Sequence, residues 1–311
     1  MKNKLKTFAE IAKTEVFFLK QTVRYHYGPI FYFRYLINKF LGLKFLKTAE
    51  AIKYEPQDDF EIHTLSQKAG LWRLYWGLRS FIHYSGLKPQ RIVVHDDGSI
   101  DDKTAKILES KFPNLKILFR READNIINKL DIPEKIKHYR YGRNVLILGF
   151  TDTFLLSQAD KVMFMDNDIL FFKKPQEVVD FVKDDSVLDS LAVVDKGHEI
   201  LDVDEFYNTK YNLRERGAFK VNSGLIFYKR KKFTLDMFSE YFDHTLDSEG
   251  HFIEQTGWGC MIVQVNHKFL DPSIYSIKGK VNNSTVMKHY TNPRRHEIYG
   301  MGIYQLKQRL K

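Results

Sequence analysis

The stretch Val162-Met163-Phe164-Met165-Asp166-Asn167-Asp168-Ile169-Leu170-Phe171-Phe172 decides the reading of this chain. Its first four residues are short, branched and aromatic enough to form a buried strand. Side chains two apart at a strand end point the same way, so Asp166 and Asp168 can converge on one cation. Hard divalent ions prefer oxygen ligands, and Mg²⁺ or Mn²⁺ commonly shares them with a substrate phosphate. The competing reading is an acidic turn that caps the next helix. Asp202-Val203-Asp204 repeats the spacing, but within a polar stretch. An EF-hand is excluded, because the ligand series, the glycine and the distal glutamate are missing.

Outward from that motif, strands alternate with helices. Strands are expected at 60–65, 91–95, 115–119, 162–165, 191–195 and 221–228. Helices are expected at 71–85, 101–111, 121–138 with a break at Pro133, 144–157, 175–184, 233–242 and 253–265. Alternation of this kind predicts an α/β fold with a mixed, mostly parallel sheet flanked by helices. The polar stretch 196–217 is long enough to suggest a functional loop or lid. In open sheets ligands bind beyond the carboxyl ends of strands. Asp96 and Asp97 follow one strand, Asp166 and Asp168 another, so one cleft would receive both clusters.

The chain has 311 residues and a net charge of +10. Residues 1–53 carry 11 Lys/Arg against 3 Asp/Glu, and residues 291–311 carry 5 against 1. The middle, 54–290, is left slightly acidic, with 33 against 35. The basic N-terminal part is also aromatic and reads as two or three helices broken near Tyr27-Gly28-Pro29. A helix with mixed apolar and basic faces suits an anionic membrane surface, and a helical cap on the main domain is the alternative. No apolar run is long enough to span a bilayer. No signal-peptide pattern is expected, and nucleic acid is not expected as a partner. The single cysteine, Cys260, excludes an intramolecular disulfide framework and fits a reducing, cytoplasmic setting. The expected division is a basic aromatic extension (1–59), a catalytic domain (60–292) and a basic tail (293–311).

Further residues carry candidate chemistry. His289 can supply a third metal ligand. Asp96 and Asp97 could bond a ribose hydroxyl or a base edge. Asn222-Ser223-Gly224 opens a strand, with Gly224 admitting a close backbone approach and Asn222 a sugar hydroxyl. Glu254 and Gln255, followed by Trp258, offer a carboxylate, an amide and an aromatic platform, and a helix face with a buried tryptophan is the equal alternative.

Taken in order, these residues resemble nucleotide-sugar-dependent glycosyltransferases of the GT-A fold. The likeness is to family-8-like enzymes, which include glycogenin and bacterial lipopolysaccharide glucosyl- and galactosyltransferases. Met163 to Leu170 is similar to that fold's DxD segment, and Asp152 falls in the helix before it. Val221 to Gly224 resembles the family's Asn-Ala-Gly strand, Glu254-Gln255 its Asp-Gln pair, and His289 its C-terminal metal ligand. The family usually follows that histidine with Gly and then Lys-Pro-Trp. Here Asn292, Pro293, Arg294 and Arg295 follow instead, and Glu replaces Asp at 254.

The resemblance implies a metal-dependent hexosyltransferase, favouring a UDP-sugar donor and retention. Asp166, Asp168 and His289 would hold Mn²⁺ or Mg²⁺. Thr64, Asp96, Asp97, Asn167, Asn222, Ser223, Gly224, Arg294 and Arg295 would bind the nucleotide-sugar, while Asp152, Glu254 and Gln255 would border the chemistry. The acceptor would be a glycan or a lipid-linked sugar at the inner face of the cell membrane. A sugar-1-phosphate nucleotidyltransferase is the alternative, but residues 64–70 make a poor phosphate loop. A non-catalytic sugar- or membrane-binding relative is a further one, and intact carboxylates argue against it.

Overall fold

A computed structural model gives the architecture and describes residues 2–183, 187–195, 199–246, 250 and 252–310. Two helices come first, α1 (Lys2–Arg24) and α2 (Pro29–Thr48), the second opened by a proline at the position where its missing N–H costs nothing. Then follow β1 (Asp58–Ser66), α3 (Leu71–Ser85), β2 (Pro89–Asp96), α4 (Asp102–Glu109), β3 (Leu115–Leu118), α5 (Arg120–Ile127), α6 (Glu134–Arg140), α7 (Ile147–Leu156) and β4 (Lys161–Met165). The second half comprises β5 (Ile169–Phe171), α8 (Gln176–Lys183), β6 (Ser190–Val194), α9 (Glu205–Tyr211), β7 (Val221–Lys229), α10 (Leu235–His244) and α11 (Ile253–Gln264). Three short strands, β8 (His267–Phe269), β9 (Tyr275–Ser276) and β10 (Met287–His289), lead to α12 (Ile303–Arg309).

The expected mixed, mostly parallel sheet is present. Seven strands lie in the order β3-β2-β1-β4-β7-β6-β8, and β7 alone runs against its neighbours. From β1 the chain winds outward through β2 and β3, then returns to place β4 on the other side of β1. The winding therefore reverses between β1 and β4, which opens a crevice at their carboxyl ends. Ser66, Asp96 and Met165 end the three parallel strands along that edge.

Strand alternation divides the core. Met163 and Met165 join Ile62 and Phe227 under α2, α3, α8 and α12, whereas Val162 and Phe164 join Ile226 under α7, α10 and α11. Helix α3 stops at Gly86, whose left-handed backbone (φ 69°) lets its N–H bond Ile82 O. Tyr35 and Leu46 of α2 are buried in the first core, as are Ile298, Ile303 and Leu306 near the C-terminus. The segment read from sequence as a basic tail (293–311) thus contributes Ile298, Ile303 and Leu306 to that core.

Sequence reading also expected a lid at 196–217. Residues 196–198 lie outside the described residues, as does Asp184 at the expected end of α8. The remainder contains α9, capped by Asp204 (Oδ1 accepts from Tyr207 N, 2.9 Å) and anchored by the buried Tyr207. The rival Asp202/Asp204 pair is therefore part of a helix start, with Asp204 also bonded to His244.

A candidate metal and nucleotide site

A second, three-stranded sheet explains how the site is assembled. β10 runs antiparallel to β5, pairing His289 with Ile169, and Tyr290 N donates to Asp168 O (2.9 Å). This ladder carries the imidazole to the acidic turn from a point distant in sequence. On the other side of the turn, Asp166 N donates to Gly224 O at 2.8 Å, fastening it to β7.

Asp166, Asp168 and His289 present ligand atoms that all lie within 4.8 Å of one another, the one such group of three among the described residues. His289 Nε2 is 3.0 Å from Asp168 Oδ1 and 3.3 Å from Asp166 Oδ2. An octahedral ion with bonds of about 2.1 Å puts neighbouring ligands roughly 3 Å apart, so these spacings suit one divalent cation.

The histidine tautomer follows from its other nitrogen. Asn222 Oδ1 accepts the backbone N–H of Gly224 (3.1 Å), which identifies that atom as the oxygen, and it also contacts His289 Nδ1 at 2.9 Å. Nδ1 must then be the donor, leaving Nε2 to face the carboxylates. Two such partners demand a positive occupant between them, either a proton or a metal ion. Burial by itself would push the imidazole down, but Asp168 and Asp166 outweigh it and hold His289 at about 9. Burial would likewise raise Asp168, yet Arg295 and His289 draw it well below the usual carboxylate range. Asp168 Oδ1 and His289 Nε2 are buried atoms without a hydrogen bond of normal geometry, as expected of atoms arranged for a different partner.

Beside Asp166 and Asp168 lies a cleft of about 150 Å³, lined by Leu65, Ser66, Asp97, Asn167, Arg73 and Arg295 among others. Arg295 Nε donates to Asp168 Oδ2 at 2.6 Å. Arg73, on the first turn of α3, donates to Asn167 Oδ1 (2.8 Å), and Asn167 Nδ2 reaches Leu65 O (3.3 Å) and Ser66 Oγ (3.1 Å). Asn167 thereby ties the acidic turn to the end of β1. Arg73 was not singled out from sequence; an arginine opening an otherwise aromatic helix, just past Gly70, was the available signal.

Glu254 sits buried on the first turn of α11 and accepts from Ser223 Oγ at 3.1 Å. Burial, reinforced by the charge of Asp166, pushes its carboxyl up to about 8. Gln255 beside it is half-buried.

Most of the other residues named from sequence lie outside the cleft. Asp152 is enclosed and bidentate with Arg140 (2.6 and 2.9 Å), which also binds Asp124 at 2.6 Å. That carboxylate is committed to a buried ion pair. Thr64 is fully enclosed within β1. Asp96 accepts Gly98 N and Ile100 N, both at 2.9 Å, and so builds its own loop, whereas Asp97 faces the cleft. Arg294 pairs with Glu297 and bonds Tyr27 Oη (3.3 Å), turned towards the N-terminal helices. Trp258 corrects an expectation: it is completely buried between Phe150 and Phe164, so no sugar can stack on it.

No family model matches the chain, and no curated protein sequence matches it. Solved structures do. A complex of the galactosyltransferase LgtC with donor and acceptor sugar analogs is similar at 15% identity over 80% of this chain and 94% of that one, with a TM-score of 0.48. Mouse xyloside xylosyltransferase 1 is similar at 10% identity over 76% and 99%, with a TM-score of 0.48. Glucosyl-3-phosphoglycerate synthase from Mycobacterium tuberculosis, with Mn²⁺, UDP and glucosyl-3-phosphoglycerate, is similar at 13% identity over 84% and 86%, with a TM-score of 0.42.

Proposed function

We propose that this chain is a metal-dependent glycosyltransferase, moving a sugar from a nucleotide-diphosphate sugar, with UDP favoured, to a glycan or lipid-linked acceptor. The observation that carries the reading is the Asp166/Asp168/His289 group at the strand-end crevice, with two arginines on the same cleft wall. Two carboxylates and one imidazole suit Mn²⁺ or Mg²⁺. A divalent ion bound there would supply Lewis-acid charge to a leaving diphosphate.

The chain's own groups do the rest. Asn222 fixes the His289 tautomer and so keeps Nε2 directed at the carboxylates. Arg295 and Arg73 place fixed positive charge where a departing diphosphate would lie, preorganised before reaction. Asp97, on the cleft wall, would take a ribose hydroxyl. Glu254 is lifted to about 8 by burial first and by the charge of Asp166 second, so it holds its proton at neutral pH, and a cation bound at Asp166 would weaken the second of these causes. Its proposed role is to border the sugar or accept a proton from the acceptor hydroxyl. Retention is implied by the resemblance in sequence motifs.

The proposed location is the inner membrane face, a reading supported by the basic and apolar N-terminal helices; no helix among the described residues is long and apolar enough to cross a membrane. The direct test is donor hydrolysis across a panel of nucleotide-sugars with Mn²⁺. Wild type should turn over a UDP-sugar, and Asp166→Ala should lose that turnover while retaining its fold. Undiminished turnover in the variant would refute the site.

A further inference from the structure

A groove of about 520 Å³ runs between the N-terminal helices and the C-terminal segment, its wall including Phe18, Tyr35, Lys39, Phe40, His296 and Tyr299. Gln67, Arg73 and Arg295 line both this groove and the metal cleft, so the two adjoin. We propose that the groove is a subsite for the hydrocarbon chain of a membrane lipid whose sugar-accepting head lies at the metal. This rests on the transfer reaction proposed above and names its acceptor class.

The walls argue for hydrocarbon over a soluble glycan. Glycan subsites need polar groups free to bond hydroxyls. Here Lys39 is paired with Glu15, Tyr35 Oη donates to Glu15 at 3.0 Å, and Tyr299 Oη donates to Ala69 O at 3.3 Å. Thr14, Gln67 and Asn292 line the groove as well, but most of its surface is apolar, with Phe18, Tyr35, Phe40, His296 and Tyr299 in its wall. His296 stacks on Phe18 with ring centroids 5.2 Å apart and meets Phe31 edge-on at 5.4 Å. Burial, helped by the charge of Arg294, pushes that imidazole down to about 4, so it adds no charge at neutral pH.

The groove's mouth gives the source of the lipid. Phe40, 57% exposed, belongs to the groove wall, and the same two helices also present Val16, Phe17, Leu19, Val23, Ile30 and Phe33 to solvent. Lys13, Lys20, Arg24, Lys44 and Lys47 are exposed among them. Apolar side chains interspersed with basic ones match the boundary of an anionic leaflet. A lipid could then pass from the leaflet along Phe40 and Phe18 to Arg73 without its chain entering water.

The test is binding of n-alkyl β-glucosides, with chains of about six to ten carbons and kept below their micellar concentrations, to the full-length protein. Affinity should rise about two- to fourfold per methylene, the increment expected for a buried CH₂. Phe40→Asp, at an exposed position that tolerates charge, should cut affinity for the longest chain at least about tenfold. Ile126→Asp, an exposed control on α5, should leave the series unchanged. Affinity independent of chain length, or a Phe40→Asp series matching wild type, overturns the proposal. Mn²⁺-dependent UDP binding is measured on the same samples. If UDP binds and chain length has no effect, the groove assignment alone fails. If UDP does not bind with Mn²⁺, the transfer reading fails, and the acceptor assignment falls with it.

Discussion

A Cβ on Gly224 would lie 2.2 Å from Cε1 of His289 and 2.4 Å from its Nδ1. The imidazole is seated on the bare backbone of β7, where it bonds Asn222 and faces Asp168 together. Gly224→Ala should therefore move the ring off both partners. Removing such orienting contacts typically costs about 10–100-fold in metal affinity. Mn²⁺ titration followed by electron paramagnetic resonance checks this, and an unchanged dissociation constant would count against His289 as a ligand.

Proton and metal compete for the same nitrogen. With His289 held at about 9, each ion bound at neutral pH displaces one proton. Mn²⁺ affinity should rise about tenfold per pH unit between roughly pH 6 and 8, then flatten as pH approaches 9. Stability of the metal-free protein should move the other way. Because the folded value lies above the ordinary histidine value of 6.5, the stabilising ion pairs are intact below 6.5 and are lost as pH rises to about 9. The metal-free melting temperature should fall over that window, and Mn²⁺ should restore it. A melting temperature flat across the window would show that the imidazole is not paired with the carboxylates.

Glu254→Gln keeps the shape of the side chain and removes its acid-base chemistry. Its carboxyl touches Ser223 and is not among the three ligand groups, so Mn²⁺ affinity should stay within about twofold while kcat falls about 10²–10⁴-fold. A kcat within about threefold of wild type would remove Glu254 from the reaction and leave it a buried polar group of the core.

Much of this architecture is legible locally, and the exceptions share a cause. Helix α3 announces itself by its aromatic periodicity and the glycine that ends it; β4 does so by an apolar run into the acidic pair. What the sequence does not announce is set by partners far along the chain. β5 and β10 are three residues each, and their pairing is a tertiary event that no local propensity encodes. Asp152 reads as a free carboxylate until Arg140 is folded onto it, and Trp258 reads as a sugar platform until Phe150 and Phe164 close over it. Arg295 lies in a stretch read as a tail, yet the burial of Ile298, Ile303 and Leu306 brings it to Asp168. The polar stretch after β6 concealed α9, because its one decisive core residue, Tyr207, is outnumbered by charged neighbours.

The most direct measurement is anomalous scattering from crystals soaked with Mn²⁺ and UDP. The account predicts one manganese peak about 2.2 Å from a carboxylate oxygen of Asp166, one of Asp168 and Nε2 of His289, with diphosphate oxygens completing the shell. A peak elsewhere, or none at the triad while UDP occupies the cleft, would contradict it.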